Sequence, residues 1–204
     1  MLSLCMILRN EQENLHTFLH NINQHVDEII VVDTGSVDNT KQIADKFTKN
    51  VFDFRWNDDF AAARNFSISK ATHDWILIMD PDEIIEKADL IKIKNIIKEN
   101  RADILGYRLI QKTFRNNKII SVRGICRVFK NSKDIRFIYP IHETVRGSIK
   151  GKIGKTGIII KHYPTLSKEK HAYYLSLLKT KKQEFPKSSA DKEIELENIN
   201  CTDY

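Results

Sequence analysis

Trp75-Ile76-Leu77-Ile78-Met79-Asp80-Pro81-Asp82-Glu83 is a run of five apolar residues that ends in three carboxylates around a proline. A short apolar run closed by turn residues reads as a strand buried on both faces. In open α/β sheets ligands bind beyond the carboxyl ends of the strands, so Asp80, Asp82 and Glu83 would emerge where chemistry is done. Oxygen donors of this kind suit Mg²⁺ or Mn²⁺, which keep waters and share their coordination with substrate phosphates. Taken alone, the pattern has a plainer reading: a solvated turn, with Glu83 near the N-terminus of a following helix.

The neighbouring stretches favour the first reading. Upstream, residues 1–8 form an apolar first strand. A helix opening at Arg9-Asn10-Glu11 would bury Leu15, Phe18, Leu19, Ile22 and Val26, spaced by three and four. Ile29-Ile30-Val31-Val32 then leads into Asp33-Thr34-Gly35-Ser36, a second buried strand closed by a carboxylate. Gly35 permits a tight turn, Ser36 or Asp38 can cap the next helix, and Ile43, Ala44 and Phe47 supply its inner face. A short strand at 51–54, a loop at 56–60 and a helix at 61–71 carrying Arg64 and Asn65 precede the central strand. A cation near a helix N-terminus opposes the dipole, so Arg64 is either a surface residue or is aimed at an anion in the crevice. A helix follows at 89–100, with Leu90, Ile93, Ile96 and Ile97 inside. Strands alternating with helices predict a parallel sheet with right-handed crossovers, and so place Asp33, Asp80 and Asp82 on one edge.

From residue 104 onward the pattern changes to strand-like runs at 104–113, 118–122, 125–130, 135–139 and 156–162, with turns such as Asn116-Asn117 between them. Their close spacing predicts antiparallel pairing. A terminal helix starts near Ser167 and fades into a polar end. The domain reading is a unit at 1–165, split into halves at 1–103 and 104–165, with a helical tail at 166–204 that could begin a longer extension.

Net charge is +6, but it is unevenly placed. Residues 1–107 carry 12 Lys and Arg against 18 Asp and Glu, whereas 108–161 carry 14 against only Asp134 and Glu143. An acidic half holding a metal and a basic segment facing anions is one reading; solvated strands with cations on the outer face is the other. Met1 to Leu8 has neither a basic segment before it nor a small-residue cleavage site. With three widely spaced cysteines, Cys5, Cys126 and Cys201, this predicts a cytoplasmic protein, and the basic segment makes the inner face of the membrane a candidate location. Phe114, Phe129, Phe137 and Tyr139 interleave with the basic residues but sit at strand spacing, so they read as core and not as a nucleic-acid platform.

Taken together, the motifs resemble family 2 glycosyltransferases of the GT-A fold, in the bacterial branch with Asp-x-Asp-Glu after the fourth strand. The resemblance rests on Leu4 to Glu11, Asp27 to Thr40, Phe60 to Asn65, Asp74 to Glu83, Cys126 to Lys130, Ile141-His142-Glu143 and His162-Tyr163. It implies an α/β fold: a Rossmann-like nucleotide-binding half with a mixed sheet, then an antiparallel segment and a terminal helix. It also implies transfer of a sugar from a nucleoside diphosphate donor, such as a UDP-sugar, to a glycan, lipid-linked saccharide or peptide. Within it Asp33 would accept a hydrogen bond from the base, with Asn10 and Glu11 beside the pocket. Asp80 would touch the ribose or a metal-bound water, Asp82 would bind Mn²⁺ or Mg²⁺, and Arg64 would face the diphosphate.

Glu143 is the candidate base of an inverting mechanism, one of only two acids in the basic segment. Its rival reading is a structural salt bridge. His162 ends a strand and is a candidate second metal ligand, with His142 as its rival for that role and otherwise a helper of Glu143. The basic segment 108–161 is also a candidate for peripheral membrane contact. A different class of function, a non-catalytic nucleotide-sugar binding module, would keep the pocket but not the turnover.

Overall fold

The computed structural model describes residues 1–164 and 168–181. One eight-stranded sheet runs through the molecule in the order β3 (Val51–Asp53), β2 (Glu28–Asp33), β1 (Leu2–Leu8), β4 (Trp75–Ile78), β7 (Lys118–Lys130), β6 (Ile104–Arg115), β8 (Lys152–His162), β5 (Glu83–Ile85). Strands β1 (Leu2–Leu8), β2 (Glu28–Asp33), β3 (Val51–Asp53) and β4 (Trp75–Ile78) are mutually parallel, as the alternation with helices predicts. The connecting helices are α1 (Gln12–Ile22), α2 (Thr40–Ala44) and α3 (Phe60–Lys70). Period-two alternation divides the buried strands between two cores. Trp75, Leu77 and Met79 join Leu2, Leu4, Leu15 and Leu19 on one face, together with Leu90 and Ile93 of α4 (Lys87–Lys98). Ile76 and Ile78 join Cys5, Ile30, Phe129 and Phe137 on the other, beneath Ala61 and Ile68 of α3. Each such fully buried aliphatic or aromatic side chain contributes roughly 1.5–3 kcal/mol by leaving water.

Several expectations are corrected. Helix α1 starts at Gln12, because Asn10 takes φ +56, and its stripe stops at Ile22: a 3₁₀ turn (Asn23–His25) follows, and Val26 is extended. Asp38 does serve the start of α2, accepting from the Thr40 backbone N–H at 3.0 Å, although Asn39 is the residue that precedes the helix. Residues 118–122 and 125–130 belong to one strand, β7 (Lys118–Lys130), paired with β6 (Ile104–Arg115) across an Asn116-Asn117 turn with both φ positive. Two left-handed residues match the twist of a tight hairpin. Residues 135–139 form no strand, only the isolated bridge Ile138 to Thr144.

The last strand, β8 (Lys152–His162), lies parallel to β6, not antiparallel. Strand β7 reverses β6 and ends beside its beginning, while β4 already occupies the free edge of β7 there. A chain returning from Lys130 therefore joins the other edge of β6 at its start, Lys152 beside Ile104, and runs the same way. One further strand, β5 (Glu83–Ile85), was expected as a turn and helix approach; it pairs antiparallel with β8. Helix α5 (Lys168–Lys181) agrees with the expected terminal helix, packing Tyr174 on Phe60 with ring centroids 5.5 Å apart. The polar end 182–204, with Cys201, lies outside the described residues. Among the described residues no helix is long and apolar enough to cross a membrane.

Candidate active site

Asp80 continues the face that Ile76 and Ile78 line, and Arg127 reaches that face two residues before Phe129. From above, α3 sends Arg64 inward. Its Nη2 donates to both oxygens of Asp80, at 3.1 and 3.2 Å, and its Nε donates to Glu143 Oε1 at 2.6 Å. Arg127 Nη2 donates to Asp80 Oδ2 at 3.2 Å and to Glu83 Oε1 at 2.6 Å. Glu83 also accepts from the Asp80 backbone N–H at 3.0 Å and from Gln111 Nε2 at 2.5 Å. Arg123 Nε closes the series by donating to Gln111 Oε1 at 2.6 Å. A continuous polar chain thus runs from Glu143 through Arg64, Asp80, Arg127 and Glu83 to the β6–β7 hairpin.

Burial and charge act on these groups in opposite senses. Burial alone would raise Asp80, but Arg64 and then Arg127 hold it well below the usual carboxylate range. For Glu83, whose side chain is fully buried, burial prevails: its carboxyl is raised despite Arg127, and the charge on Asp80 adds to the rise. Burial would lower Arg64, yet Asp80 and Glu143 raise it. Desolvating charges costs about as much as their pairing returns, so a network like this argues for positioning more than for stability.

Glu143 is held by a strained loop. Tyr139 and His142 take φ +73 and +55, values that cost a non-glycine residue energy and that recur at functional sites. Helix α3 fixes this loop at several points. Asn65 donates to the Phe137 carbonyl at 2.9 Å and accepts from its N–H at 2.8 Å, and the Phe60 N–H donates to the Pro140 carbonyl at 2.8 Å.

Beside this cluster stands a second pair. The β5–β8 ladder sets Glu83 opposite His162, and the Tyr163 N–H donates to the Asp82 carbonyl at 2.9 Å. His162 Nε2 is consequently 3.4 Å from Asp82 Oδ2, while His162 Nδ1 lies 3.2 Å from Thr113 Oγ1. Asp82 Oδ1 is buried and has no hydrogen-bond partner among the described residues. Among the described residues no three His, Cys, Asp or Glu side chains converge as a ready metal cage.

At the ends of β1 and β2, Asp33 Oδ1 accepts from the Gly35 and Ser36 N–H groups at 2.9 and 2.8 Å, leaving Oδ2 buried without a partner among the described residues. Asn10 Oδ1 accepts from Val37 N–H at 2.9 Å, and Thr40 Oγ1 accepts from Glu11 N–H at 2.7 Å, so Asn10 and Glu11 are stitched to the same turn.

The structure therefore joins Arg64, Asp80 and Glu143 in one contact network, and Asp82 to His162. His142 sits in the turn beside Glu143, so His162 is the histidine that stands against Asp82. Arg64 is not surface decoration: its side chain is 8% exposed. Nor does Glu83 sit in a solvated turn; it opens β5 and is buried. Sequence reasoning passed over Arg127, Gln111 and Arg123. Arg127 did carry a signal, since an arginine on the same strand face as Phe129 has to find anions inside the protein.

A mixed α/β sheet, parallel where β1 to β4 alternate with helices and extended by a hairpin beyond, is the architecture of the GT-A glycosyltransferases. Residues 3–155 match the profile described as glycosyl transferase family 2, and the chain belongs to that family. A TPR repeat-containing protein of Synechococcus elongatus is 38% identical over 147 residues, which are 72% of this chain and 36% of that protein. The crystal structure of S. aureus TarS residues 1–349 in complex with UDP-GlcNAc superposes with a TM-score of 0.65 at 14% identity, covering 87% of this chain and 64% of that 1–349 chain. Glucosyl-3-phosphoglycerate synthase from Mycobacterium tuberculosis, in complex with Mg²⁺ and UDP, gives a TM-score of 0.59 at 14% identity, covering 87% and 78%. The chain thus spans about a third of its cyanobacterial relative.

Proposed function

We propose that this chain is an inverting, metal-dependent glycosyltransferase that moves a sugar from a UDP-sugar to a glycan, lipid-linked or peptide acceptor. The observation that carries the reading is Arg64, which joins Asp80, at the end of the central strand, to Glu143 in a strained loop. The TarS complex with UDP-GlcNAc and the mycobacterial synthase complex with Mg²⁺ and UDP support a uridine donor. Residues 1–103 would form the donor half and 104–165 the acceptor half.

In this reading the unpartnered Asp33 Oδ2 accepts from the base, with Asn10 and Glu11 framing the pocket. The residues present fit a Mn²⁺ or Mg²⁺ ion: Asp82 offers a buried oxygen without a partner and His162 stands beside it. Two protein ligands suffice for ions that take their other donors from phosphate and water. Charge agrees as well: Asp80, Glu83 and Glu143 against Arg64 and Arg127 leave one negative charge, and Asp82 adds a second. The metal would neutralise charge developing on the diphosphate as the sugar–oxygen bond breaks. Arg64 Nη1 and Arg127 Nε, both buried without partners, face the same task from the protein side. The acceptor attacks the anomeric carbon opposite the diphosphate and loses its proton to Glu143, whose other oxygen is fixed by Arg64. Asp80 keeps the two arginines in register.

The test is calorimetric titration of UDP with and without Mn²⁺ on the wild type and on Asp82→Ala. Metal-dependent binding should weaken by more than roughly tenfold in the variant; equal binding by both proteins would defeat the metal assignment. Glu143→Gln should retain UDP affinity and lose turnover against a screened donor and acceptor. Absence of turnover in the wild type itself, with UDP still bound, would mark a non-catalytic nucleotide-sugar binding module.

A further inference from the structure

The β6–β7 hairpin outgrows the sheet that carries it. Strand β8 accompanies β6 only as far as the pairing of Thr113 with His162, and β4 accompanies β7 only at residues 128–130. Among the described residues, the end of the hairpin, 114–122, therefore has no strand on either side of it. It is chemically unusual for an exposed element. Ile119, Ile120 and Val122 are 50%, 49% and 59% exposed, three β-branched residues within four positions of one strand. Register adds Phe114 beside Ile119, and Phe114 stacks on the half-exposed Tyr163 with ring centroids 5.0 Å apart. The same two strands carry Lys112, Arg115, Lys118 and Arg123, the last tied to Gln111, and residues 108–130 contain seven Lys and Arg and no Asp or Glu.

An exposed apolar cluster rimmed by polar residues marks an interaction site. Its partner has to accept aliphatic side chains and tolerate a strongly basic neighbourhood at once. A soluble polyanion would use the cations and leave Ile119, Ile120 and Val122 in water. A bilayer bearing anionic headgroups uses both, the apolar group entering the acyl boundary while Lys and Arg stay at headgroup level. The bulge between Thr113 and Phe114 suits such a tip, because it twists an exposed strand away from edge-to-edge pairing.

We propose that this hairpin tip docks the protein on an anionic lipid surface. The base of the same hairpin supplies Gln111 to Glu83 and Thr113 to His162, so docking seats the Asp82–His162 corner close to the headgroups. The consequence that the acceptor is lipid-linked rests on the transferase reading above; the docking does not.

The test is co-sedimentation of the full chain with vesicles of phosphatidylcholine alone or with about 30% phosphatidylglycerol. Binding should require the anionic lipid and fall with added salt. The combined variant I119S/I120S/V122S should lose roughly tenfold or more in vesicle affinity, and K118E with R115E a similar factor, with unchanged circular dichroism. Undiminished vesicle binding by the serine variant would overturn the proposal. So would binding of the wild type to a soluble polyanion such as heparin but not to vesicles. UDP titration of the same samples separates the two readings: UDP binding without vesicle binding sinks only the docking, and vesicle binding without UDP binding sinks only the transferase.

Discussion

Arg127→Met removes one cation from a site where two carboxylates depend on it, and keeps most of the side-chain volume. Glu83, fully buried, would retain only Gln111 and the Asp80 N–H; Asp80, whose side chain is 26% exposed, would retain Arg64. Removing one partner of a buried ion pair costs about 3–5 kcal/mol, and most of it should fall on Glu83, because Asp80 keeps a partner and some water. We expect a loss near the lower end, about 3 kcal/mol, or about 1.5 M in the urea midpoint of a domain this size. The pH dependence follows from the sign of the shift. Glu83 already has a raised carboxyl, so its ionisation costs stability: stability is fullest below its unfolded value and is lost as pH rises through the folded one. Losing Arg127, which opposes the rise, moves the folded value higher still. The deficit of the variant should therefore shrink between neutral pH and about pH 5. Adding Glu83→Gln should recover about 1–2 kcal/mol by removing the stranded charge. Urea unfolding followed by circular dichroism reads all of this. A deficit under about 1 kcal/mol, independent of pH and unchanged by Glu83→Gln, would refute the reasoning.

Two further outcomes are expected. Asn65→Ala breaks both hydrogen bonds to the Phe137 backbone, so stability should fall by about 1–3 kcal/mol, and, with Glu143 as the proposed base, turnover should fall more than UDP affinity because the freed loop carries it; equal losses in both would show that the loop does not position that proposed base. The Cys126 thiol is pushed up to about 12 by burial, and Cys5 is raised further. Neither should react with a thiol reagent at neutral pH until urea unfolds the chain, a result peptide mapping would check.

Much of residues 1–103 was legible because their signals are local. An apolar run of strand length, a carboxylate at its end and a helix with threefold and fourfold spacing are each visible in a few residues, so β1 to β4 and the placing of Asp33, Asp80 and Asp82 needed only the rule of right-handed crossovers. Beyond residue 104 the same reasoning weakened. Spacing foretold strands and one hairpin, yet it mistook 135–139 for a strand, because apolar alternation there serves to bury Phe137 beneath α3. It also could not say which free edge β8 would join.

Periodicity over short stretches was enough for the order of elements and the two-faced burial of the central strand, and the resemblance of the motifs was enough for the family. The tertiary structure decided which charges meet. Arg64 and Glu143 are 79 residues apart, and Arg127 and Glu83 44 apart. Their contacts depend on sheet order and strand register, which are set by competition among edges across the whole chain and leave no trace in any local pattern. Pairing β5 with β8 is what brings His162 to Asp82, and β5 is three residues long, too short for its own sequence to announce it.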